Sequence, residues 1–148
     1  MRALRLIPHI ALASLVATAL SAQKLDSLRV KLPVSKERAA DAVVRAFTTV
    51  GLGVSNTTSS LIEADEGSTA NNAFGGQNHR VVRAVLLPSD SSTVVVITGI
   101  EARTNQYGTT TLRIDNHAGG NGGKVWKKMV AAALILDSTA VPAAARTH

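Results

Sequence analysis

Residues 24–65 read KLDSLRVKLPVSKERAADAVVRAFTTVGLGVSNTTSSLIEAD, and the periods inside this stretch decide the fold. Leu28, Val30 and Leu32 alternate with Ser27, Arg29 and Lys31. That is the period-two pattern of a half-buried strand over residues 25–32, and Pro33 stops it. Ser35 suits an N-cap, and Val34 sits where a hydrophobic staple would. From residue 36 to 50 the period becomes helical. Ala40, Val43, Phe47 and Val50 share one face, while Glu37, Arg38, Asp41 and Arg45 lie elsewhere. Gly51 fits the C′ position, where a left-handed backbone carries no Cβ penalty. Two short strands, 52–55 and 60–65, then flank Asn56-Thr57-Thr58-Ser59, a turn composition that predicts a hairpin.

Downstream the chain is strand-rich. Residues 66–78 (EGSTANNAFGGQN) form a polar, glycine-rich loop with one aromatic, Phe74. Strands are expected over 81–87, 93–103 and 109–115, dense in Val, Ile and Thr. Residues 116–123 (NHAGGNGG) make a second glycine-rich loop, and 124–136 reads as a helix with Val125, Met129, Ala132, Ala133 and Leu136 on its apolar face. The order β-α-β-β-β-β-β-α predicts an α+β domain over residues 23–137, with a mostly antiparallel sheet and both helices on one face. Residues 138–148 are expected to form a flexible tail.

The start of the chain is of another kind. Arg2 and Arg5 precede an apolar run from Ile10 to Leu20, and small residues Ser21 and Ala22 lead into polar Gln23. This is the layout of a secretory signal peptide over residues 1–22, cleaved after Ala22 or, where Ala17-Thr18-Ala19 fits the small-x-small rule, after Ala19. The run is well under the roughly 20 residues that span a bilayer. The expectation is therefore a periplasmic or extracellular protein with no transmembrane span in its mature part.

The chain has 148 residues, 45% hydrophobic and 18% charged, with no Cys. It is too apolar for a disordered chain and has length for one modest core. Zero Cys excludes disulfides, thiolate metal sites and cysteine nucleophiles. The formal net charge of +6 loses two units with Arg2 and Arg5. The remaining basic residues are scattered except Lys124, Lys127 and Lys128, and no aromatic stripe accompanies them for base stacking, so no nucleic-acid partner is expected.

No catalytic constellation is legible. Ala118-Gly119-Gly120-Asn121-Gly122-Gly123-Lys124-Val125 has Ala118 and Val125 where a P-loop needs Gly and Ser/Thr. No nucleophile elbow and no His-Glu-x-x-His motif occur. His79 and His117 lack metal-ligand spacing. Neither enzymatic activity, nor a metal, nor a cofactor is expected. Binding is the better class, with Phe74 and the three lysines as candidate contacts. The strands supply another. In 81–87 and 93–103 both faces are apolar in the middle, whereas a sheet with helices on one face normally alternates. A patch of Val85, Leu87, Val95 and Ile97 is expected on the second face. Either another segment covers it, or it engages an envelope protein or a second copy of the chain. The alternative is a small-molecule or anion site between sheet and helices, rimmed by loops 66–78 and 116–123.

The run KLPVSKERAADAVVRAFTTVGLGVSNTTSSLIEAD resembles the start of small exported bacterial envelope domains of the BamC type, in which strand, Pro-x-Ser helix start, helix ending in Gly-Leu, and hairpin follow one another. The resemblance implies a sheet gripping its helices from one side. With no Cys, the lipoprotein anchor of that family is absent.

Overall fold

The computed structural model describes residues 25–66, 70–71 and 76–140. The proposed signal peptide, Phe74 and residues 141–148 lie outside the described residues. The elements run β1 (Ser27–Leu32), α1 (Lys36–Thr49), β2 (Gly53–Thr57), β3 (Leu61–Asp65), β4 (Ala70–Asn71), β5 (Gln77–Ser89), β6 (Ser92–Asn105), β7 (Gly108–Ile114) and α2 (Gly120–Ala140). This is the expected α+β order with one two-residue strand added.

All strand pairs are antiparallel, in the order β1-β6-β5-β3-β2. The two long central strands each carry two partners on one edge. The first half of β6 pairs with β1, from Thr98 opposite Ser27 to Thr93 opposite Leu32, and its second half pairs with β7. β5 pairs with β3 through 81–85 and with β4 through 77–78. The composite edge of β1 and β7 is closed by two hydrogen bonds. Leu25 N donates to Asn116 Oδ1 at 2.8 Å, and Asn116 N donates to the Leu25 carbonyl at 3.0 Å.

Both helices pack on one face. The core there holds Val30 and Leu32 of β1, Ile62 and Ala64 of β3, Val82, Ala84 and Leu86 of β5, Val95 and Ile97 of β6, and Ile114 of β7. Against these sit Ala39, Val43, Ala46 and Phe47 of α1, and Val125, Met129, Ala132 and Leu136 of α2. The buried stripe of α1 is rotated from the expected one, with Ala39 and Ala46 fully buried and Ala40 and Val50 half-buried. Small residues let the helix backbone come close to the sheet.

Local chemistry sets the boundaries. Ser35 takes the extended N-cap backbone, although its hydroxyl makes no capping bond. At the other end of α1, Gly51 N reaches the Thr48 carbonyl (3.1 Å) and Leu52 N the Phe47 carbonyl (2.9 Å). This is a Schellman motif, and Gly51 supplies the required positive φ of 74°. β5 and β6 are joined by Asp90-Ser91 alone, since Ser89 is opposite Ser92. Asp90 takes φ 48°, which Asp tolerates better than most residues.

α2 differs from its expected bounds at both ends. It begins at Gly120, inside the predicted loop 116–123. A Cβ at Gly123 would lie 2.6 Å from the Ala118 carbonyl oxygen, so glycine there lets the first turn close tightly. It ends at Ala140, past Leu136, so residues 138–140 of the expected tail are helical. The Ser138 and Thr139 hydroxyls bond back to the Ile135 and Leu136 carbonyls at 2.7 Å each. No proline or glycine interrupts the sequence from Lys124 until Pro142.

Candidate functional site

Residues directly opposite in an antiparallel pair point to the same face, so the registers lay out the face away from the helices. Its rows are Leu87–Val94–Lys31, Leu61–Val85–Val96–Arg29, Glu63–Arg83–Thr98–Ser27 and Asp65–Val81–Ile100–Arg113. Two rows have apolar centres, one is polar, and the fourth is apolar again. Leu87 is 45% exposed, and Leu61, Val81, Val85, Val94, Val96 and Ile100 are half-buried. The helices lie on the opposite side, and among the described residues these side chains have one another as neighbours on this face.

This layout corrects the expected patch. Val85 and Leu87 lie on the outer face, as expected. Val95 and Ile97 do not: both are fully buried beneath the helices. Val85 is opposite Val96 and Leu87 opposite Val94, so the partners of the first pair are the even-numbered valines. Val94, Val96, Val81, Ile100 and Leu61 are the members that the sequence reading leaves out.

The flanks of the face differ in charge. On the β1/β7 side Lys31 and Arg29 are exposed, and Arg113 pairs with Asp26 at 2.9 Å. On the β3 side Glu63 accepts from Arg83 Nε at 2.7 Å and from Asn56 Nδ2 at 3.2 Å. The Asn56 bond, then the Arg83 bond and charge, hold the Glu63 carboxyl below its ordinary pKa of 4.5. Asp65 meets His79 Nε2 at 2.9 Å. A hollow of about 150 Å³ lies between Arg83 and Arg113, over Thr98.

A second polar feature closes the helix-facing side where the apolar column of β5 ends. Arg80, its side chain only 3% exposed, meets Glu101 on β6 at 3.0 Å and Glu66 at 3.6 Å. Glu101 also binds Arg103 at 3.0 Å, and Glu66 lies 3.7 Å from Lys128 on α2. The result is a chain of alternating charges, Arg103–Glu101–Arg80–Glu66–Lys128, that ties both central strands to the last helix. Burial is the largest influence on Glu101 and raises its pKa. The hydrogen bonds from Arg103 and Arg80, with their charges, outweigh it, so its carboxyl sits below 4.5. Arg80 Nε has no hydrogen-bond partner among the described residues. The signal for this pair was present in the sequence. Arg80 continues the spacing of Val82, Ala84 and Leu86, and Glu101 that of Val95 and Ile97.

The lysine cluster is split. Lys124 and Lys127 are exposed, while Lys128 turns away to donate to the Gly51 carbonyl at 3.2 Å. His117 is exposed, and its backbone N–H donates to Asp115 Oδ1. Beside it, a cavity of about 330 Å³ at the start of α2 is walled by Arg103, Arg113, Glu101 and Asp115, among others. A groove of about 360 Å³ lies elsewhere, between Pro33, Val34 and the Arg38–Arg45 side of α1. Among the described residues, no group of three or more His, Asp or Glu is placed to hold a metal ion, and no helix is long and apolar enough to cross a membrane.

Comparison with protein-family models finds no match, and comparison with curated proteins finds none. Among solved structures, the chain is similar to the crystal structure of the protein TTHA0849 from Thermus thermophilus. The alignment covers 84% of this chain and 100% of that one at 14% identity, with a TM-score of 0.36, a likeness too slight to carry an argument.

Proposed function

We propose that this chain is an exported protein of the cell envelope that acts by binding, not by catalysis, through the outer face of its sheet. The observation that carries the reading is that face itself. Seven apolar side chains from β3, β5 and β6 are gathered on the side away from both helices. Soluble proteins rarely leave such a surface without a use for it. Export rests on the signal-peptide layout of residues 1–22.

Two measurements test the reading. Mass spectrometry of the protein from an exporting host is expected to find an N-terminus between residues 20 and 24; an intact Met1 on the mature protein refutes export. For the face, Val85→Asp with Val96→Asp is expected to stay folded by circular dichroism. It should lose both self-association and capture of envelope proteins, whichever the wild type shows. Unchanged association and capture refute the surface.

One observation favours a second reading, a small-anion site. The cavity at the start of α2 brings Arg103, Arg113 and helix-terminal N–H groups together. Both arginines are already paired, with Glu101 and Asp26, and the Glu101 and Asp115 carboxylates share the cavity walls. This places the anion reading second. Phosphate titration followed by thermal shift decides it, and no shift at millimolar phosphate refutes it.

A further inference from the structure

The outer face is unequally charged about its own midline. On the β1/β7 flank Lys31, Arg29 and Arg113 stand against one carboxylate, Asp26; on the β3 flank Glu63 and Asp65 stand against the Arg83 guanidinium and the His79 ring, which meets Asp65 at 2.9 Å. Arg29 and Lys31 are exposed and make no ion pair with any described residue. Between the flanks run the apolar rows, centred on the seam between β5 and β6.

We propose that the occupant of this face is a second copy of the chain, packed sheet to sheet about a two-fold axis parallel to the strands along the β5–β6 seam. This rests on the reading of the outer face as a binding surface and adds the partner and its orientation. A two-fold axis in that direction reverses left and right across the strands and leaves position along them unchanged. The β1/β7 flank of one copy then lies over the β3 flank of the other. Arg113 comes over Asp65 of the second copy, and the long Arg29 side chain reaches the level of Glu63. The apolar rows cover their own equivalents. Strand directions of the two sheets stay aligned, as face-to-face sheets about 10 Å apart prefer. The other in-plane axis, across the strands, would stack Lys31, Arg29 and Arg113 on themselves and oppose association. A two-fold interface must be self-complementary, and only the first axis makes this face so.

The test uses sedimentation velocity on the mature protein purified from an exporting host, with circular dichroism as the folding control. Wild type is expected to show a concentration-dependent dimer. Arg29→Glu with Lys31→Glu puts acid on both flanks, and Glu63→Lys with Asp65→Lys puts base on both. Each pair is expected to weaken the dimer by about ten-fold or more, less so in high salt. Arg29→Glu, Lys31→Glu and Glu63→Lys together, with Arg113 and Asp65 left in place, restore opposite charges and are expected to restore the dimer. Should the lysine pair disturb the Glu63–Arg83 contact, Glu63→Gln with Asp65→Asn replaces it and is expected to weaken the dimer part-way. A monomeric wild type at all concentrations overturns the second copy. The surface reading is then judged apart, by whether Val85→Asp with Val96→Asp abolishes envelope-protein capture. A dimer that is lost in that apolar variant but indifferent to the charge variants overturns the axis. A dimer that survives every variant uses another surface and overturns the proposal.

Discussion

Replacing Gly99 with alanine tests how closely α2 rests on the sheet. Gly99 lies in the middle of β6, between Val82 of β5 and Ile114 of β7, and on the helix-facing side. A Cβ built there would lie 2.8 Å from Met129 Sδ and 3.1 Å from Ile114 Cβ. Both neighbours are buried, Met129 0% exposed and Ile114 2%; the Met129 thioether is flexible, but Ile114 Cβ is held by its backbone and cannot give way without moving β7. Overfilling a packed core typically costs about 1–3 kcal/mol. Against this, removing glycine restricts the unfolded chain and stabilises by about 0.4–1 kcal/mol. The clash term is the larger, so Gly99→Ala is expected to be destabilising by about 1–2 kcal/mol. Urea denaturation followed by circular dichroism reads it as a lower midpoint at unchanged slope. Met129→Ala alone should cost about 2–5 kcal/mol through its cavity. Because the alanine Cβ at 99 points into that cavity, the double variant should be less destabilised than the sum by about 1 kcal/mol. A Gly99→Ala protein as stable as wild type, or strict additivity in the cycle, refutes this account of the helix–sheet contact.

Phe47→Ala, at a fully buried side chain of α1, is expected to cost about 3–5 kcal/mol in the same assay; a loss below about 1 kcal/mol refutes its place in the core. Glu101 has a folded pKa below 4.5, so its contribution is complete above that pH and is lost as pH falls through the lower folded value. Glu101→Gln should therefore be less stable at pH 7, by about 1.5–3 kcal/mol, the worth of a charged hydrogen bond, since Arg80 keeps Glu66 at 3.6 Å as its other partner. It should also lose less stability than wild type on acidification below pH 4.5; equal acid sensitivity refutes the linkage. Val96→Asp and Ile97→Asp occupy adjacent positions on opposite faces, and circular dichroism should find the first folded and the second unfolded. The reverse order refutes the register.

The elements were legible in the sequence because each carries a period. Residues 25–32 alternate, 36–50 recur as a helix does, and turn residues separate the strands. Element ends were less legible because backbone pairing does not depend on apolar side chains. Gln77, Asn78 and His79 look like loop yet extend β5 against Thr104, Arg103 and Ala102. The glycines at 120–123 each disfavour a helix by about 1 kcal/mol, yet the contact of Gly123 with the Ala118 carbonyl requires a residue without Cβ.

The site turned on a finer point. β5 and β6 are rich in valine on both faces, so neither strand alone says which face is inside. That is fixed by which residues stand opposite each other, and hence by the length of the turn. Strands bounded at residues 87 and 93, as composition suggests, put Leu87 opposite Thr93 and Val85 opposite Val95. Those bounds group Val85 and Leu87 with Val95 and Ile97. The actual turn is Asp90-Ser91, which puts Leu87 opposite Val94 and Val85 opposite Val96. A slip of one residue exchanges the faces of a whole strand. Here it moves Val95 and Ile97 into the core and brings Val94 and Val96 out beside Val85. The same slip hides the buried ion pair. In the observed register Arg80 stands opposite Glu101, so the guanidinium that ends the apolar column of β5 meets the carboxylate that ends the column of β6. A register that placed Arg80 opposite an uncharged neighbour would leave a buried charge uncompensated, at a cost of several kcal/mol. The ion pair and the apolar face thus depend on one register, and the turn at Asp90-Ser91 sets it.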